Sequence, residues 1–158
     1  MNNSSTLLTT QFHHQYQLLI YWLAPHDLTF IKKRFRPNKW SIHEHLAHLG
    51  RYHEIFQGRL ERIMEQEAPH FSRYKAEEDE EFFKWCQKET NQIIQDTLES
   101  RQFTINWITS LQKNDFQRVG FHPKLKQLSL HDWIEFFLLH ESHHLYTIFR
   151  IIHEFGQD

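Results

Sequence analysis

The chain has 158 residues, 39% of them hydrophobic and 15% aromatic, so it is long enough for one folded domain and too apolar for disorder. Its 18 basic and 20 acidic residues give a net charge of −2, which excludes the strong positive field typical of proteins that bind nucleic acids or anionic membranes. Cys86 is the only cysteine, so no intramolecular disulfide can form.

The N-terminal stretch "MNNSSTLLTTQFHHQ" lacks a basic start followed by an apolar run, and we therefore expect no signal peptide. No run of about 18 apolar residues predicts a membrane span. We expect a cytoplasmic protein with a single domain over residues 1–158, without nucleic-acid or membrane partners.

Long segments with few helix-breaking residues dominate the chain, which has four glycines, four prolines and a single valine. This pattern predicts helices and no strands. A short helical turn should follow Asp27. The long helices are predicted at about Ser5 to Leu23, Ser41 to Gln66, Glu80 to Leu111 and Ser129 to Phe155. Four such helices predict an all-α fold, a four-helix bundle.

Two helix starts carry a capping box, in which a Ser or Thr is followed three residues later by an acidic or amide side chain. Ser41 and Glu44 form one such pair in "SIHE", and Ser129 and Asp132 form the other in "SLHD". Gly156 is a plausible C-cap for the last helix.

The last predicted helix carries His140 and His144 four residues apart within its apolar stripe. The apolar members of that stripe are Trp133, Phe137, Ile148 and Ile151. Imidazoles at this spacing project from one face of a helix and can reach one cation. Two core histidines satisfied by other side chains are an equally good interpretation of the spacing alone.

His140, Glu141 and His144 also spell His-Glu-x-x-His, the pattern of zinc proteases. One version of that motif continues with Gly and His, but Thr147 and Arg150 occupy those positions. The other version needs a later Glu on a further helix, and only 14 residues follow His144. We therefore interpret the match as a coincidence and do not predict a zinc protease.

A third ligand could come from the second predicted helix, which contains "HEHLAHL". His45 lies near the middle of its apolar stripe and His48 on the flank of that stripe, so geometry does not choose between them. We expect His43 to face solvent.

Three stretches resemble the DinB-like superfamily of DinB/YfiT-like metalloenzymes. "NKWSIHEHLAHL" is similar to the family's Trp-Ser-Ile-x-Glu-x-x-x-His-Leu, whose His is a metal ligand, and this places the ligand at His48. "HESHHL" resembles the family's His-x-x-x-His pair and places two ligands at His140 and His144. "GFHPKLKQLSLHDW" resembles the segment before the last helix, with Lys or Gln where the family often has Gly.

The resemblance implies a four-helix bundle with a three-His site for a divalent metal, usually Zn, Ni or Fe. Some relatives transfer low-molecular-weight thiols to electrophiles, others act as hydrolases, and homodimers are frequent. The implied function is that of a metal-dependent enzyme acting on a small thiol or an electrophilic small molecule. The alternatives are a non-catalytic metal-binding or stress-related protein, and a helical interaction module with incidental histidines.

Other polar residues near these motifs have structural or functional interpretations. We expect Glu44 to act as a cap partner and Glu141 to be an exposed charge, although both are candidates to orient the histidines. Tyr52 could line the pocket or simply pack in the bundle, and His122 is placed near the site by the resemblance. Cys86 is expected to be a buried small side chain rather than a nucleophile.

Overall fold

The computed structural model describes residues 3–156, with side chains from residue 6 onward, as six α-helices and one two-stranded β-hairpin. The elements in chain order are α1 (Asn3–Leu23), α2 (Leu28–Lys32), α3 (Ile42–Glu65), α4 (Glu80–Gln87), α5 (Thr90–Ser110), β1 (Val119–His122), β2 (Lys126–Ser129) and α6 (Leu130–Phe155).

The four long helices α1, α3, α5 and α6 form the bundle. Helix α3 packs against α5 and α6, and α1 packs against the same two helices, so α1 and α3 are diagonally opposite. The predicted four-helix bundle is therefore confirmed. Within residues 3–156, none of the helices combines the length and the apolarity needed to cross a membrane.

The predicted helix starts are confirmed by their capping hydrogen bonds. The Ser41 hydroxyl accepts from the Glu44 backbone N–H, and the Glu44 carboxylate accepts in return from the Ser41 N–H. Ser129 and Asp132 form the same reciprocal pair at the start of α6. The short turn after Asp27 is α2, whose first turn is capped by the Asp27 carboxylate.

The third predicted helix is interrupted, and a buried histidine occupies the interruption. Helix α4 ends before Lys88 and α5 begins at Thr90, which leaves the Cys86 carbonyl free to bond elsewhere. Nε2 of His43 lies 2.9 Å from that carbonyl oxygen, and Nδ1 lies 2.9 Å from the Thr90 hydroxyl. The expectation that His43 faces solvent was wrong, since only 6% of it is exposed.

The β-hairpin was not predicted, because its two strands have four residues each and show no clear alternation. Strand β1 also bonds to the connection after α3: the Phe71 N–H donates to the Phe121 carbonyl at 3.0 Å, and the Phe121 N–H to the Pro69 carbonyl at 2.8 Å. The hairpin tip and residues 72–77 are thereby held over one side of the bundle.

Buried polar residues separate the apolar core into two parts. Along α3 and α6, one apolar cluster includes Leu46 and Ile148, and the other includes Phe56 and Phe137. On the long helices, several buried polar residues lie between the positions that belong to one cluster and those that belong to the other. We call them the polar layer: His48, His53, Thr97, Arg101, Thr104, Glu141 and His144. Burying polar groups costs free energy unless they are paired. We therefore expect the functional residues to lie in this polar layer.

Candidate metal centre

Three imidazoles converge inside the polar layer. His48, His140 and His144 each offer one ring nitrogen, and these nitrogens lie within 4.8 Å of one another. Nε2 of His48 and Nε2 of His140 lie 3.2 Å apart. The three ring centroids are 4.4 to 5.2 Å apart. The structure therefore brings together the three histidines that the resemblance designated.

Two helices supply these rings. His48 lies on α3, and His140 and His144 lie one turn apart on α6, so the cluster bridges two neighbouring helices of the bundle. His48 and His144 are 5% and 8% exposed. Trp40 packs against both, with ring centroids 4.9 and 6.1 Å away.

His45 makes a contact that separates it from the cluster. Nδ1 of His45 lies 2.9 Å from Nδ1 of His144. His45 therefore contacts the His144 ring at its Nδ1 and not at its Nε2. One of the two Nδ1 atoms must donate and the other accept, so the contact couples the tautomers of His45 and His144. If the His144 Nδ1–H donates, its Nε2 lone pair is free for a ligand. His45 is thus a partner of His144, in a different place from His48.

The geometry fits a divalent cation. Two nitrogens bound at about 2.0–2.1 Å to a tetrahedral zinc ion would be separated by about 3.3 Å, which is close to the 3.2 Å between His48 and His140. Nδ1 of each of these two rings is buried without a hydrogen-bond partner, so both rings present Nε2 to the shared centre. A hydrogen bond between the two Nε2 atoms would explain why His48 and His140 are close. It would not explain why His144 lies beside them.

Burial keeps these histidines neutral at physiological pH. It lowers the pKa of His140 and of His45 to about 4. The pKa of His48 falls to about 3, through burial and then through repulsion from His140 and His45. The pKa of His144 lies well below its usual value for the same reasons. Neutral imidazole is the form that binds metal ions, so no proton has to be displaced near pH 7.

A pocket of about 480 Å³ opens onto the cluster. Tyr52 and His122 line it, which supports the pocket position considered for both. Tyr52 stacks near His140 with ring centroids 4.1 Å apart. Arg59 also lines the pocket and was not identified from the sequence. Arg59 lies three residues after Phe56, within the buried stripe of α3, and this position could have indicated a buried arginine.

Glu141 points into the bundle as part of a buried ion pair. It is 1% exposed, pairs with Arg101 of α5, and accepts a hydrogen bond of 2.8 Å from Gln15 of α1. The expectation of an exposed charge was wrong, because the partner residues are far away in sequence. The carboxylate does not belong to the histidine cluster, so the His-Glu-x-x-His motif lacks a base beside the candidate metal.

Glu44 and Cys86 have structural environments. Glu44 completes the capping box and pairs with Arg34, which together with the cap holds the pKa of the carboxyl below its usual value despite partial burial. Cys86 is half-buried, and burial raises the pKa of its thiol to about 11. A thiol of this kind is a poor nucleophile.

A larger groove, of about 1000 Å³, lies between α1 and the start of α6. It is lined by residues such as Leu7, Leu18, His131 and Glu135, and by none of the three clustered histidines. His131, Asp132 and Glu135 also bring ligand atoms together, and two of them line this groove, but both carboxylates of that group are exposed. We place the candidate site in the smaller pocket, because the ligand atoms that converge there belong to three imidazoles inside the bundle.

Comparison with known proteins agrees with this architecture. The family model of the DinB superfamily matches residues 11–148, and the chain therefore belongs to that superfamily. A solved structure, described as YfiT from Bacillus subtilis, a probable metal-dependent hydrolase with an unusual four-helix bundle topology, superposes with a TM-score of 0.85 at 15% sequence identity. That match covers 100% of this chain and 91% of the other. No curated protein matches the sequence.

Proposed function

We propose that this member of the DinB superfamily binds one divalent metal ion through His48, His140 and His144 and uses it in an enzymatic reaction on a small molecule. The observation that carries the proposal is the convergence of three neutral imidazoles, two buried and one half-buried, on the wall of an open pocket. Three protein ligands leave coordination positions open, which is typical of catalytic sites and not of closed structural ones. The donors suit Zn, Ni and Fe alike.

A divalent ion held there would supply a Lewis acid that lowers the pKa of a bound water or thiol. The protein's own residues prepare the site for that chemistry. Trp40 covers His48 and His144 on one side and Tyr52 packs against His140 on the other, so the rings are held in place and partly shielded from water. His45 fixes the orientation of His144.

Two reaction classes agree with this site. Hydrolysis is supported by the likeness to YfiT, which is described as a probable metal-dependent hydrolase. Transfer of a low-molecular-weight thiol to an electrophile is favoured by the pocket itself. Among the described residues that line it, Glu77 is the sole carboxylate and is exposed, so the pocket offers no buried carboxylate as a general base to activate water. Thiol transfer does not depend on such a base, because the thiolate is itself the nucleophile.

The test compares both reactions in metal-loaded protein without a polyhistidine tag. Hydrolysis is followed with a panel of p-nitrophenyl esters, and thiol transfer with monobromobimane and cysteine. Activity should be present in the wild type and in His153→Ala, an exposed histidine of α6 that does not line the pocket, and absent in His48→Ala. A metal-loaded protein that catalyses neither reaction would favour the non-catalytic, metal-binding or stress-related alternative.

We also propose a homodimer in the cytoplasm. Exposed apolar side chains lie on the adjacent helices α1 and α6, and they support self-association: Leu18, Tyr21, Leu139 and Tyr146. Light scattering should give twice the chain mass for the wild type and a smaller mass for Leu139→Glu. A monomeric wild type at micromolar concentration would contradict the dimer.

A further inference from the structure

Arg59 is a buried cation without an acidic partner. It is 8% exposed, and no carboxylate among the described residues lies within ion-pair distance of its guanidinium. Its two hydrogen bonds are to neutral oxygens: Nη1 donates to the Tyr52 hydroxyl at 3.3 Å and Nη2 to the Ser72 carbonyl at 2.9 Å. The other buried arginine, Arg101, is paired with Glu141.

Contacts with aromatic rings compensate only part of the cost of burying the Arg59 guanidinium. The Arg59 guanidinium lies 5.6 to 5.9 Å from the ring centroids of Tyr52, Phe71 and Trp133. Such contacts use the face of the guanidinium, whereas its five N–H groups point outward in its plane. Two of the five are used, and a buried charge without a counter-ion is costly.

Arg59 also lines the same pocket as the histidine cluster. The charged residues that share this lining are Arg73, Lys75, Glu77 and Lys124. Four cations, including Arg59, therefore line the pocket with one carboxylate, and only Lys75 of the four has an acidic partner, Glu78, among the described residues. A pocket with this excess of positive charge attracts anions.

We propose that Arg59 binds an oxyanion, a carboxylate or phosphate group, on the small molecule that occupies this pocket. The free N–H groups of its planar guanidinium match the two oxygens of such a group. The description of that molecule as a substrate rests on the proposed function, but the anion site itself depends on Arg59 and its surroundings. The substrate class is thus an anionic small molecule, anchored by Arg59 with its reactive group toward the histidines.

The probe is inorganic phosphate, titrated by calorimetry and by ¹⁵N NMR of the arginine Nε–Hε groups. Wild type, Arg59→Met and Arg62→Met are compared after metal loading. Arg62 is the matched control, because it is an exposed arginine on the same helix that stacks on Phe71 at 4.9 Å but does not line the pocket. Phosphate should bind at least about tenfold more weakly to Arg59→Met and equally to Arg62→Met, since a hydrogen-bonded charge pair is lost.

His48→Ala separates this proposal from the metal site. In that variant the Arg59 Nε–Hε signal should still move on addition of phosphate, although the metal is lost. Phosphate binding by a protein that never binds metal would contradict the proposed function and would still support the anion site. Equal phosphate affinity of Arg59→Met and wild type would overturn the anion site. If Arg59→Met does not fold, an Arg59 signal in wild type that phosphate leaves unmoved overturns it as well.

Discussion

At the scale of single residues, the three clustered histidines differ in what supports them. Nδ1 of His144 has a partner in His45, whereas Nδ1 of His48 and Nδ1 of His140 are buried without one. A ring whose second nitrogen is hydrogen-bonded is held in one orientation. His144 is therefore the best-oriented of the three candidate ligands, and this depends on His45.

Replacing His45 should weaken metal binding without abolishing it. We expect His45→Ala to lower the affinity about 10- to 100-fold, the effect typical of losing a group that orients a ligand, while one metal ion per chain still binds at saturation. Competition with a chromogenic chelator measures the affinity. His45→Asn, whose amide oxygen can accept from Nδ1, should recover part of the loss.

His143→Ala is the control for that series and should bind metal like the wild type, because His143 is exposed. Complete loss of metal in His45→Ala, with retention in His48→Ala, would show that the ligand on α3 has been assigned to the wrong histidine. An unchanged affinity in His45→Ala would remove the orienting role.

The environments of individual polar residues were harder to predict than their positions on helices. Periodicity placed His45 near the middle of the apolar stripe of α3 and His48 on the flank of that stripe, and the structure buries both, with 8% and 5% exposure. It could not distinguish their contacts. His43 and Glu141 were expected at the surface, but Thr90 and Arg101 bury them through bonds across the bundle. Such partners are distant in sequence, so local patterns do not report them.

At the scale of secondary-structure elements, the capped helix starts were predictable and the chain's interruptions were not. Ser41 and Ser129 begin their helices through local hydrogen bonds that the sequence itself specifies. The break between α4 and α5 is bridged by His43, which belongs to another helix. The hairpin turn has Lys126 at φ 67°, a conformation that favours Gly. A lysine there conceals the turn from sequence analysis.

The buried ion pair between Arg101 and Glu141 connects three helices, since Gln15 of α1 also donates to Glu141. Glu141→Gln should therefore destabilise the fold by about 3–5 kcal/mol, because Arg101 would remain charged and buried without compensation. Urea unfolding measures the change. The metal content should stay at one ion per chain, because Glu141 does not belong to the histidine cluster.

Glu135→Gln is the control on the same helix, at an exposed position, and should change stability by less than about 0.5 kcal/mol. The opposite result for Glu141→Gln, unchanged stability with loss of ester hydrolysis, would mean that this carboxylate acts as a catalytic base.

At the scale of the whole molecule, the polar layer makes the bundle sensitive to acid. Burial holds the pKa of His53 at about 3, and four further histidines, three buried and one half-buried, also have lowered pKa values. In the unfolded chain their pKa values return to about 6.5. Below that pH the unfolded state binds more protons than the folded state, so acid favours unfolding.

The stability of metal-free protein should be constant above about pH 7 and should fall between about pH 6.5 and pH 3. Each buried histidine should contribute a loss of about 2 kcal/mol by pH 5, at about 1.4 kcal/mol per pH unit below 6.5. Urea unfolding at pH 7.5, 6 and 5 measures the slope. In His53→Leu, the free energy of unfolding should fall less steeply with decreasing pH, by the contribution of one proton. A free energy of unfolding that does not change down to pH 5 would contradict the burial of neutral imidazoles.

The most direct test of the three-histidine site is the metal content of untagged protein, measured by elemental analysis. The wild type and His143→Ala should each carry about one divalent ion per chain. His48→Ala, His140→Ala and His144→Ala should each lose it, because two imidazoles rarely hold a labile ion against buffer. A metal-free wild type after loading and desalting, or full retention of metal in all three variants, would contradict the site.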